Sequence, residues 1–121
     1  MAQHVLIVCE ACGSDKKTPG DTPGKRLMRQ LQVLHQQWPR RAELDLETTG
    51  CLCVCDRPCA IAFVGTHKPS FLFGDLSPET SAEDLLIAAE LYLDKADGMV
   101  PAYDLPLPLR SRRIARIPAA P

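Results

Sequence analysis

Six cysteines confined to two short windows constrain this chain more than any other feature. Cys9-Glu10-Ala11-Cys12 lies near the start, and Cys51-Leu52-Cys53-Val54-Cys55-Asp56-Arg57-Pro58-Cys59 lies mid-chain. Free cysteines that only pack as small hydrophobes have no reason to gather in this way. The opening Met1-Ala2-Gln3-His4 lacks the basic-then-apolar layout of an export signal, which predicts a cytoplasmic chain. In reducing cytosol such spacing reads as metal ligation or catalysis, not as three disulfides.

The 121 residues, 45% of them hydrophobic, allow one domain with a small core. No apolar run approaches the roughly 18 residues that a membrane span needs. A net charge of −1 gives no basic footprint for nucleic acid, and 5% aromatics give no stacking platform for bases.

Along the chain, His4 to Glu10 reads as a buried strand and Gly13 to Gly24 as a loop. A helix is predicted from Pro23, with Leu27, Leu31, Leu34 and Trp38 on one face and Pro39 ending it. Leu44, Leu46 and Thr48 alternate with Glu43, Asp45 and Glu47 as a half-exposed strand, so a parallel crossover is expected. Ala60–Val64 and Ser70–Phe73 flank a turn-like Gly65-Thr66-His67-Lys68-Pro69 and predict an antiparallel hairpin. A second helix starts at Ser77-Pro78, or at a capping box of Thr80 and Glu83. It buries Leu85, Ala88, Ala89 and Tyr92 and stops at Gly98. The order β-α-β-β-β-α describes a small α/β sandwich with a mixed sheet.

Residues 1–100 form the expected domain, and residues 101–121 a Pro/Arg-rich tail packed on it. The tail holds five of the eleven prolines, together with Arg110, Arg112, Arg113 and Arg116. Four Arg against one Asp give it +3, leaving −4 on residues 1–100. Such a tail either docks on an acidic partner or phosphate, or straps over its own acidic body with Ile114 and Ile117 tucked in.

Thiolates are soft ligands, and four of them suit zinc or the irons of an iron–sulfur cluster. A C-x2-C pair turns both sulfurs toward one ion, while Cys51/Cys55 and Cys55/Cys59 span slightly farther. Zinc ribbons favour two C-x2-C pairs; a 2Fe–2S cluster needs two cysteines per iron and tolerates looser spacing. Dithiol catalysis by Cys9 and Cys12 requires a cysteine at a helix N-terminus, and about a dozen residues separate Cys12 from the predicted helix. His4, His35 and His67 each stand alone, and no Gly-rich phosphate loop is present. No catalytic constellation emerges.

The strand ending in cysteine, the crossover, and Cys51-Leu52-x-x-Cys55 closing the second strand resemble the thioredoxin-like 2Fe–2S ferredoxins. The chain also resembles a bacterial family of predicted metal-binding proteins of unknown function. Those members share C-x-x-C near the start, C-L-x-x-C-x-R-P-C (here Cys51 to Cys59) and a stretch like Phe73-Gly74-Asp75-Leu76. They end like Gly98-Met99-Val100-Pro101 through Ile114-Ala115-Arg116-Ile117-Pro118, so the similarity covers most of residues 5–118.

The resemblance implies a thioredoxin-like fold and the cluster ligands Cys9, Cys12, Cys51 and Cys55. Cys59 then either replaces Cys12 or is a spare thiol, and Cys53 has no role. It implies a cytoplasmic 2Fe–2S electron carrier, not an enzyme, that meets a redox partner protein and is often a homodimer. Main-chain N–H groups of residues 50–60 would tune its potential. A zinc-binding structural or metal-handling protein, such as a metallochaperone linked to cobalamin metabolism, is the alternative; a dithiol oxidoreductase is the third.

Overall fold

A computed structural model describes residues 3–10, 22–50, 52 and 59–120. The first strand, β1 (His4–Cys9), buries Leu6 and Val8 completely on one face and leaves Val5 and Ile7 partly covered on the other. It pairs in parallel with β2 (Asp45–Thr49) and antiparallel with β3 (Ile61–Gly65). Next to β3 run β4 (Ser70–Phe73) and β5 (Arg113–Ile117), both antiparallel to their neighbours, giving the order β2-β1-β3-β4-β5. The expected α/β class, mixed sheet and element order are all present, with β5 as a further strand drawn from beyond Pro101.

A parallel pair requires a crossover, which α1 (Pro23–Gln36) supplies. The Thr22 hydroxyl caps it by accepting the Lys25 N–H at 3.1 Å, and Pro23 fits the first turn. Leu27, Met28 and Leu31 are buried, but Leu34 is 38% exposed and Trp38 packs from beyond the helix end. The second helix, α2 (Ser81–Asp94), starts directly after Thr80, at the later of the two expected starts. Thr80 makes no side-chain cap bond, so the expected capping box does not form. Acidic Glu83 and Asp84 in the first turn suit the positive end of the helix dipole.

The far end of α2 is closed by Lys68, not by Gly98. Its buried Nζ donates to Tyr92 O at 2.8 Å and Leu93 O at 3.3 Å, satisfying carbonyls that the helix cannot. Gly98 has φ +68 and lies four residues past the helix. A Cβ there would approach Lys68 Cβ to 2.8 Å, so this glycine lets the chain pass over the lysine stem.

Both helices cover the same sheet face. The register sets Leu6 beside Phe63, Val8 beside Ile61, and those two beside Phe71 and Phe73. Against this layer pack Leu27 and Leu31 from α1, and Leu85, Ala88, Ala89 and Tyr92 from α2. Burying each large side chain contributes about 1.5–3 kcal/mol, so this layer dominates the driving force for folding. On β2, Thr48 is exposed although the alternation points it inward, because an edge strand lies at the margin of the helices.

Candidate metal centre

The ends of four strands meet at one pole of the sheet. Cys9 N–H donates to Ala60 O at 3.0 Å, and Glu10 N–H to Thr49 O at 2.9 Å, carrying both β1 pairings past the strand end. Cys59 and Leu76 exchange main-chain bonds of 3.3 and 3.4 Å, which ties the approach to β3 to the chain leaving β4. The first turn of α1 arrives at this pole as well. Thr22 donates its hydroxyl to Glu10 O, and a Cβ on Gly24 would lie 2.0 Å from Cys9 O. The residues that separate Cys12 from α1 in sequence therefore do not separate Cys9 from it in space. Partly positive helix N–H groups stand beside the main chain of the first cysteine.

Cys9 and Cys59 are each 1% exposed, and neither is in a disulfide. Their surroundings differ. Cys9 forms a small cluster with Ala60 and Leu52, and its Sγ–H points to Gly50 O at 3.9 Å. Cys59 belongs to the main core beneath the helices. Burial pushes the Cys59 thiol up to about 11, with Glu79 and Cys9 adding to the rise and Arg26 opposing it. Arg26 Nε and Glu79 Oε1 pair at 3.1 Å, so their charges largely offset each other near that thiol. At neutral pH Cys59 is consequently a neutral, packed thiol.

Cys12, Cys51, Cys53 and Cys55 lie outside the described residues, as does most of the 50–60 main chain. Their points of attachment are described. Cys12 follows Glu10 by two residues, and Cys51 directly follows the Gly50 carbonyl that receives the Cys9 thiol. Among the described residues, no three His, Cys, Asp or Glu converge in a metal-holding group. The histidines serve elsewhere: His35 Nε2 bonds Leu44 O at 2.7 Å, His4 packs edge-on against Tyr92, and His67 turns the β3–β4 hairpin at φ 62. Thr22, Gly24 and Leu52 escaped sequence reasoning. The Thr-Pro pair is a legible helix start, but the contact with Cys9 is tertiary and leaves no local signal.

Residues 6–119 match the family described as protein of unknown function (DUF1636). The chain belongs to the DUF1636 family. No curated protein matches it. Among solved structures, this DUF1636 member is similar to a thioredoxin-like [2Fe-2S] ferredoxin from Aquifex aeolicus. The TM-score is 0.61 at 13% identity, over 96% of this chain and 94% of that one. A further structure of such a wild-type ferredoxin from the same organism gives 0.51 at 17% identity, covering 77% and 87%. A cysteine-to-serine variant gives 0.53 at 15%, covering 78% and 90%. At these identities the likeness is one of fold, and the DUF1636 chain folds as those thioredoxin-like proteins do. No helix among the described residues is long and apolar enough to cross a membrane.

Proposed function

We propose that the protein binds a 2Fe–2S cluster through cysteine thiolates at this pole and carries single electrons, with no substrate of its own. The observation that carries the reading is the convergence of the two cysteine-bearing segments, joined where the Cys9 thiol meets Gly50 O. The likeness in fold to solved [2Fe-2S] ferredoxins supports it. The donor chemistry fits: soft sulfur ligands, the described ones outside any disulfide, with His4, His35 and His67 engaged elsewhere in the fold.

Cys9, Cys12, Cys51 and Cys55 would hold the cluster, which when bound supplies one-electron oxidation and reduction. Cys59 is assigned to core packing, because it sits in the main core while Cys9 lies with Ala60 and Leu52. The chain's contribution is positional. Ala60, Thr22 and Gly24 fix the main chain of Cys9 and Glu10, so the first ligand is carried on rigid elements. Leu52 and Ala60 shield its sulfur from water, and the α1 N-terminus favours negative charge there.

Single replacements test the assignment. Cys9→Ser, Cys12→Ser, Cys51→Ser and Cys55→Ser should each lose iron, while Cys59→Ala should retain it. Iron retained by Cys12→Ser and lost by Cys59→Ala would overturn the ligand set. Stoichiometric zinc in a colourless protein that cannot be reconstituted with iron and sulfide would replace the electron-carrier reading by a zinc-binding one.

A further inference from the structure

The segment beyond Pro101 carries charge that the fold does not consume. Its arginines make no ion pair with a carboxylate among the described residues, although residues 1–100 carry −4. Arg110 Nε donates to Leu105 O at 2.9 Å and Arg113 Nη1 to Val100 O at 2.7 Å, while Arg116 Nη1 faces Met99 Sδ at 3.9 Å. The segment is held instead by main-chain pairing with β4 and by the bond from Gly74 N–H to Arg112 O. A strap bound by charge to its own acidic body would look different.

The position of these charges is specific. Gly74, which bonds Arg112, lies two residues before Leu76, the partner of Cys59, so Arg112 stands on the rim of the cysteine pole. Arg110 and Arg112 are exposed, and on the same segment Tyr103 and Leu107 are each 73% exposed. Arginine and tyrosine are among the side chains enriched at protein interfaces. A nucleic acid fits less well. Four arginines on one segment cannot track a polyphosphate backbone, and the rest of the chain would repel it.

We propose that Arg110 and Arg112, with Tyr103 and Leu107 on the same segment, form the docking surface for a partner protein bearing an acidic patch. Docking there would bring the partner to the cysteine pole. The proposal rests on the electron-carrier reading for what the partner does, a redox protein; the charge and exposure of the surface do not depend on it.

Amide NMR of the full chain, titrated with a short polyglutamate peptide, tests the surface directly. Shifts should concentrate in residues 103–116 and fade at high salt, and Arg110→Glu with Arg112→Glu should weaken binding about tenfold. Metal content of that double variant should match the parent. Absence of shifts in this segment, or unchanged affinity in the double variant, overturns the proposal. So does tighter binding of a short DNA duplex than of polyglutamate. Peptide binding through these residues by a chain that never takes up iron supports the surface while removing the electron-carrier reading.

Discussion

Gly24 on α1 touches the carbonyl of Cys9 so closely that a Cβ would lie 2.0 Å from the oxygen. No side chain fits there without moving the helix or the strand end. Gly24→Ala should therefore destabilise the fold by about 2 kcal/mol, even though alanine is the better helix former. It should also speed metal loss, because the displaced main chain carries Cys9. Urea denaturation and the rate of iron release to a chelator check both; an alanine variant as stable as the parent would contradict the contact.

Lys68 ties the β3–β4 turn to the end of α2 through its two carbonyl bonds, with Nζ 5.1 Å from the centre of the Tyr92 ring. Lys68→Met keeps the stem but leaves the Tyr92 and Leu93 carbonyls without this donor. A loss of about 2 kcal/mol is expected, as for other hydrogen bonds involving a charged group. Hydrogen exchange should rise most in the last turn of α2. Uniformly faster exchange throughout the chain would speak against a local cap.

His4 gives the stability a pH dependence. Burial lowers its pKa, Lys68 lowers it further, and Nε2 is buried without a hydrogen-bond partner among the described residues. In the unfolded chain the imidazole protonates near pH 6.5, before the folded form does. The unfolded state then binds more protons, so stability falls as pH drops from about 6.5 toward the folded pKa and is fully restored above that window. His4→Phe retains a ring against Tyr92 and removes the titration. Its urea midpoint should vary less than the parent's between about pH 7 and about pH 5; parallel curves would rule out this role for His4.

Strong local periodicity made much of the fold legible. Leu27 and Leu31, the hairpin of β3 and β4, and the buried face of α2 all follow from spacing that only one kind of element satisfies. Arg113–Ile117 is not legible as a strand, because its apolar residues do not alternate. In the structure the β4–β5 register shifts between Leu72 and Phe73, and Ile117 remains 57% exposed, so neither clue to a strand is in the letters. The helix ends depended on tertiary partners: Lys68 closes α2 from 24 residues away in sequence, and no local residue foretells it. The cysteines themselves were conspicuous. That Cys9 and Cys59 lie in separate clusters was not, since it depends on pairing Cys9 with Ala60 rather than on spacing.

The central claim, that these thiols hold a 2Fe–2S cluster, is tested most directly by the UV–visible spectrum of protein purified without oxygen, with iron, sulfide and zinc determined on the same sample. A red-brown protein with about two irons and about two sulfides per chain is the expected result. A colourless protein with stoichiometric zinc, which anaerobic iron and sulfide fail to convert, would contradict it.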